Sequence, residues 1–447
     1  MIETEALRSA LETYLPKQRW YGGDEADAKA LEIDSTSWLR EEWPALVQVL
    51  LRVPSHGATA TYHVVLGLRP SDSHDAFLEG KAEAILGELP TDLGPAVAYD
   101  AVVDPELSLH LLQCAAPGED VSRARLLGAD QSNTSVVFDE RLIMKVFRRV
   151  SEGPNPDVEV TNALFGRGFT AVPRPIAQWE GAGGHLAVVN EFLTGGADGF
   201  QLALTSVRDL YDARCAPAEA GGDFGPDACR LGTITAEMHV ALGDAFGVTA
   251  ADPKIWVEDM LAQLARTEHP DLDVNVIRQI ESAVLSIDAG PAIRIHGDFH
   301  LGQVMRSDAG WYVLDFEGEP ARPVEERRRP SSALRDVAGM LRSFHYAAEV
   351  GIREYGHDAD AEVQELGAAW EHHNRTRFLE GYLMVAGVDR VLAASERDRD
   401  RVLAAFELDK AVYEVAYEAS YRPEWVGIPL SAVQRILEET AREQRTA

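Results

Sequence analysis

The stretch His296-Gly297-Asp298-Phe299-His300-Leu301-Gly302-Gln303, followed by Asp315-Phe316-Glu317, decides how this chain is read. An aspartate stands five positions before an amide, and a second aspartate follows after a short hairpin. Gln303-Val304-Met305 and Trp311-Tyr312-Val313-Leu314 read as two strands, with Ser307-Asp308-Ala309-Gly310 of turn composition between them. Ile293-Arg294-Ile295 is a short β-branched approach to His296. Such a hairpin brings Gln303 and Asp315 close in space and leaves Asp298 at its entry. Two oxygen ligands, completed by phosphate oxygens and water, suit Mg²⁺, which rarely takes an all-protein cage.

The spacing and residue types together suit phosphoryl transfer from ATP. Asp298 would orient and deprotonate an acceptor hydroxyl, while Gln303 and Asp315 hold the metal that neutralises the phosphates. Either aspartate alone would serve equally well to cap a turn or end a strand. A different reading uses the same residues: on an extended segment His296, Asp298 and His300 share one face and would suit a transition metal and a hydrolase. No second His pair at ligand spacing supports it, since His372 and His373 are neighbours on a helix-like stretch and point apart. His296 is expected to hydrogen-bond backbone around the loop, and His300 to face the acceptor.

A cation for the phosphates stands upstream. Val136 to Phe138, a tight turn, then Ile143-Met144-Lys145-Val146-Phe147 read as a strand pair, with Lys145 inside an apolar strand where an unpaired ammonium would be costly. Glu159, in the helical stretch that follows, is the expected partner. Neither glycine-rich nucleotide signature is present. The tract Asp130 to Ser135 lies where a glycine loop would, so Ser132, Asn133 and Ser135 are candidate phosphate donors. Val188-Val189-Asn190-Glu191-Phe192-Leu193, ending at Gly195-Gly196, reads as a hinge, and Asn190, Glu191 and Leu193 would offer backbone groups to adenine.

Composition narrows the class. Forty-two basic against 73 acidic residues leave a formal charge of −31, which argues against nucleic-acid or anionic-membrane partners. ATP is itself anionic, so Lys145, Arg148, Arg149 and Mg²⁺ are expected to reverse the sign locally. Cys114, Cys215 and Cys229 show no C-x-x-C spacing and read as free thiols. The N-terminus lacks the basic and apolar regions of a signal peptide, and no run approaches the roughly 20 apolar residues of a spanning helix. A cytoplasmic enzyme, monomeric or homodimeric, is the expectation. Residues 1–90 alternate short helix and strand patterns, 91–195 carry the Lys145 strand pair, and 196–447 are dominated by helical periodicity.

These segments resemble the actinobacterial maltokinase family, within the aminoglycoside-phosphotransferase and protein-kinase-like group. The resemblance rests on Gln18-Arg19-Trp20-Tyr21-Gly22-Gly23, Gln131 to Val136, Lys145-Val146-Phe147-Arg148-Arg149 and Asn155-Pro156-Asp157. It continues through the catalytic stretch, Leu334-Arg335-Asp336-Val337-Ala338-Gly339 and Glu407 to Glu414. Phe299 and Met305 depart from it, each standing where leucine is common. The resemblance implies an α+β, bilobal protein-kinase-like fold: an N-terminal cap subdomain (1–90), a β-rich N-lobe (91–195) and a helical C-lobe (196–447). It implies an ATP- and Mg²⁺-dependent sugar kinase, with maltose giving maltose 1-phosphate as the first expectation. Glucosamine giving glucosamine 6-phosphate is the alternative, and an aminoglycoside would also fit an acidic pocket. A catalytically silent scaffold is disfavoured because Lys145, Asp298 and Asp315 all have candidates. Sugar selection is expected from Asp409, Lys410, Tyr413, Glu414 and Tyr417 on one C-terminal helix, with Trp425 stacking on a pyranose ring.

Overall fold

A computed structural model describes residues 2–55, 58–73, 76–127, 133–319, 322–356 and 360–446. The chain is a mixed α+β protein that divides into two compact units, Met1–Glu159 with Pro173–Thr194, and Val160–Val172 with Gly195–Ala447.

The first unit holds two antiparallel sheets. One runs in the spatial order Glu32–Arg40, Ala45–Ser55, Ala58–Pro70, Gly94–Asp100, Ile85–Thr91, with Arg149–Val150 pairing beside Ala58–Pro70. Strand Ala45–Ser55 alternates between two cores. Val47, Val49, Leu51 and Val53 join a cluster with Leu7, Leu11 and Tyr14, whereas Leu46 faces a second cluster with Tyr99, Leu107 and Leu111. One face of the strand is apolar from Ala45 to Val53, while on the other Gln48 and the exposed Arg52 interrupt the run toward its far end. The boundary expected at residue 90 falls inside the hairpin Ile85–Thr91/Gly94–Asp100. Thr91 and Gly94 pair at the hairpin turn, and the return strand completes the sheet. The second sheet runs Pro175–Gly181, Gly184–Glu191, Leu142–Phe147, Asn133–Phe138, Ala124–Leu126. Asp139 and Glu140 take φ of 49° and 54° at the turn between its two middle strands, the left-handed pair a tight hairpin requires. The Asp139 carboxylate fixes that turn by accepting from Ser122 and Arg123 N–H groups at 2.9 and 3.0 Å.

The second unit is helical around one large apolar core. Val160, Leu164, Phe169 and Val172, expected with the N-lobe, belong to that core because the apolar side of their helix and the turn after it pack there. Helices Gly225–Phe246 and Ala361–Leu383 approach so closely at Gly232 and Gly381 that an added Cβ would collide with the Phe378 and Cys229 carbonyls. That crossing places His239 against Tyr382 at 2.9 Å. The hairpin Val304–Ser307/Gly310–Val313 forms as the sequence suggests, joined at its edge by Ala197–Asp198.

Candidate active site

The catalytic loop is held from below by one buried carboxylate. Asp336, in the first turn of helix Leu334–Tyr355, accepts from the backbone N–H of His296 at 2.8 Å and of Gly297 at 2.9 Å. His239 Nε2 lies 3.1 Å from the same carboxylate. Burial alone would raise the Asp336 pKa, but the His239 contact and the donated backbone bonds hold it below the usual value. His296 behaves as expected: Nε2–H donates to the Leu314 carbonyl at 2.9 Å, and Nδ1 faces the Asp298 N–H at 3.4 Å. The ring thereby ties the start of the loop to the end of the hairpin. Asp298 projects from this frame, and across the hairpin Gln303 Nε2 lies 3.5 Å from Asp315 Oδ2. Asp315 has φ of 63°, a left-handed backbone rare for a β-substituted residue.

A cavity of about 470 Å³ opens beside Asp298 within the second unit. Six carboxylates line it (Asp259, Asp298, Glu319, Glu326, Asp336 and Asp409), against the four cations Arg266, Arg322, Arg335 and Lys410. Lys410 Nζ reaches Asp298 Oδ1 at 3.3 Å and Glu319 Oε1 at 3.0 Å, and sits over the Tyr413 ring at 5.0 Å. Burial would favour neutral forms of both partners. Glu319 and Asp298 nevertheless raise the Lys410 pKa, while Lys410, Arg335 and Arg322 hold Glu319 well below the usual carboxylate range. Asp409 is different: burial pushes it up to about 6, and the nearby arginines offset that only in part.

Three of the acceptor residues expected from the sequence, Asp409, Lys410 and Tyr413, line this cavity. The others do not. Glu414 accepts from Arg342 Nε at 3.0 Å and Nη2 at 2.6 Å, drawn inward because Arg342 is fully buried and needs a counter-ion. Tyr417 stacks between Tyr413 and Tyr421 on the outer face of the helix. Trp425, past the helix end, takes Arg422 over its ring at 4.8 Å and packs near Leu204, Val350 and Ile428. The His300 ring turns back to cap its own turn, Nδ1 accepting from Gly302 N–H at 3.0 Å, and burial lowers its pKa. Sequence reasoning assigned no role to Asp259, Glu319, Arg322, Arg335 or Asp336. The word Leu334 to Gly339 marked the last two without saying what they touch.

The first unit carries the nucleotide candidates. Lys145 Nζ lies 3.4 Å from Asp157 Oδ2, a carboxylate that the sequence reading did not single out. The helix runs Pro156–Gly166 and carries both Asp157 and Glu159 in its first turn. Asn133 and Ser135 are buried on the strand paired with Lys145, and Ser132 lies outside the described residues. Arg148 is not a phosphate cation. It is fully buried, donating to Asp100 Oδ2 at 2.7 Å and Thr134 Oγ1 at 2.9 Å. Along the hinge, Glu191 N–H donates to Arg174 O and Phe192 N–H to Arg141 O, while among the described residues no hydrogen bond is recorded for Leu193 N–H. Asn190 Oδ1 is buried without a partner among the described residues, and Glu191 faces Arg174 at 3.7 Å.

Asp298 at the rim of a polar cavity, with an amide and an aspartate approaching across the next hairpin, is an arrangement suited to phosphoryl transfer. Comparison with known proteins agrees. The maltokinase N-terminal cap domain matches residues 14–104, and the phosphotransferase enzyme family matches residues 123–318. The glucosamine kinase of Mycolicibacterium smegmatis (strain ATCC 700084 / mc(2)155) is 31% identical over 335 residues, covering 70% of this chain and 80% of its own. That of Streptacidiphilus jiangxiensis is 31% identical over 368 residues, covering 77% and 79%. A solved glucosamine kinase in complex with glucosamine, ADP and inorganic phosphate superposes with a TM-score of 0.67 at 26% identity, over 91% of this chain and 94% of that one. Another crystal form gives 0.68 at 25% identity, over 97% and 99%. The chain belongs to this family, the maltokinase-like and glucosamine-kinase branch of the aminoglycoside-phosphotransferase superfamily, and is an ATP-dependent sugar kinase.

Proposed function

We propose that this kinase phosphorylates glucosamine, at its primary hydroxyl, from Mg·ATP. The observation that carries the reading is the cavity beside Asp298, where carboxylates outnumber cations and Asp409 makes no hydrogen bond or ion pair among the described residues. An acceptor bearing an ammonium group meets an acidic wall there and adds to the charge that Arg335, Arg322 and Lys410 supply to Asp409 only in part, whereas a neutral disaccharide brings no such charge. Maltose is the first expectation from sequence; the relatives named above are glucosamine kinases, which favours the amino sugar.

Asp298 takes the acceptor proton as the hydroxyl attacks in line. Lys410, between Asp298 and Glu319, holds the base in place and adds positive charge beside the transferring group. Asp336 keeps the loop from moving, so that geometry rather than covalent chemistry supplies the acceleration. In the first unit Lys145 is the candidate phosphate cation and Leu193 N–H the candidate adenine donor. Gln303 and Asp315 each carry an oxygen donor of the hard kind that suits Mg²⁺; the Gln303 amide, whose Nε2 faces Asp315, would turn its oxygen to the ion, which would neutralise phosphate charge. An ATP-consumption assay with glucosamine, maltose, glucose and an aminoglycoside tests the reading, with the phosphorylated carbon located by NMR. Turnover on glucosamine with maltose inert is expected; turnover on maltose with glucosamine inert would overturn it.

A further inference from the structure

Glu281, in helix Val274–Ala283, has zero exposure, and among the described residues neither of its carboxylate oxygens has a hydrogen-bond partner. Among the described residues every other buried carboxylate receives a donor: Asp100 and Asp104 from arginine, Asp157 from Lys145, Asp336 from the loop, and Glu371, Glu407 and Glu418 from histidine or arginine. An isolated buried acid is costly and calls for a reason. Its helix packs on Glu396–Tyr421, which carries Asp409 to the acceptor cavity. The charges that act on Glu281 are Asp409 from that helix and, more weakly, Arg278 from its own. Helix Pro253–Arg266, also packed nearby, turns Asp259 and Arg266 to the cavity.

We propose that Glu281 adjusts the charge of the acceptor site, carrying a proton in the empty enzyme and releasing it to solvent when the ammonium group of an amino sugar seats against Asp409. The inference rests on the amino-sugar reading above. Burial first, and then the Asp409 charge, push Glu281 up to about 8, so the pair holds one proton at neutral pH. A cation arriving at Asp409 favours the doubly ionised pair. The proton goes to solvent, no covalent bond changes, and a neutral sugar gains nothing from the exchange. Glu281 does not line the cavity, so it acts through Asp409 as a positioning residue rather than on the sugar itself.

The sign of the stability effect follows from the same shift. The folded state keeps a proton that the unfolded chain has already lost near pH 4.5, so this group weakens the fold as pH rises from there to about 8. Glu281→Gln is therefore expected to raise Tm at pH 8 and leave it unchanged at pH 4. Glucosamine is titrated without nucleotide at pH 7 into the wild type and E281Q, by calorimetry in two buffers of different ionisation heat. The wild type should release more protons than E281Q, and E281Q should lose about half of its kcat/KM preference for glucosamine over glucose at pH 7, which is about what one pKa unit of coupling, from about 8 to about 7, is worth at that pH. Equal proton release and unchanged preference, even with a shifted Tm, would reduce Glu281 to a structural residue. Should E281Q not fold, absence of proton release by the wild type overturns the proposal. A wild type that uses maltose and not glucosamine instead overturns the amino-sugar reading itself, and is seen before any variant is made.

Discussion

Arg148 in the first unit and Lys410 in the second are both cations set among carboxylates, yet their surroundings differ. Arg148 is closed on all sides: Asp100 and Thr134 accept from it, Tyr14 donates to the same Asp100 at 2.9 Å, and Trp20 lies 5.2 Å from the guanidinium. It joins the strand after Lys145 to the cap elements and leaves no space for a ligand. Lys410 pairs equally well, with Asp298 and Glu319, but its side chain keeps 22% exposure on the wall of a cavity. A buried charge whose partners enclose it serves the fold. One whose partners face open space can exchange them for a substrate.

The comparison can be broken most sharply at Asp298. Asp298→Asn should lower kcat by about 10²- to 10⁴-fold, the usual share of a general base, with the KM for ATP little changed. Steady-state kinetics with a parallel thermal melt reads this, and normal turnover would sink the assignment. Arg148→Met should do the reverse, lowering unfolding free energy by about 3–5 kcal/mol because Asp100 is left buried without its cation. Denaturant titration measures that loss. Activity per folded molecule should persist, and its disappearance in a folded variant would show that the Arg148 cluster does more than hold the cap. Tyr14→Phe removes one hydroxyl from the same cluster and should cost about 0.5–1.5 kcal/mol. A change near zero would mean that Arg148 alone satisfies Asp100.

Much of the catalytic half was legible because it is local. Asp298, Gln303 and Asp315 lie within one loop and hairpin, so spacing and turn chemistry suffice to bring the last two together. The Lys145 strand pair is local for the same reason. The partners were harder. Asp157, in the same first helical turn as Glu159, reaches Lys145 without having been singled out. Glu414 sits at acceptor-facing spacing beside Lys410 and Tyr413, but Arg342, on another helix, takes it. Arg148 reads as a phosphate cation from its neighbours in sequence and proves to belong to Asp100, 48 residues away.

From the sequence alone come the α+β class, the kinase-like order of a strand-rich then helical chain, and the hairpin with the candidate catalytic aspartate at its entry. Each rests on periodicity or on contacts a few residues apart. Only the tertiary structure decided what holds those groups and what faces the acceptor. Asp336 meets the loop from 40 residues on, and Lys410 meets Asp298 from 112. Glu281 reads as an ordinary helical glutamate until two helices close over it. Helix packing selects these pairs, and burial then fixes their charge, because the cost of an unpartnered ion depends on what surrounds it rather than on its neighbours in the chain.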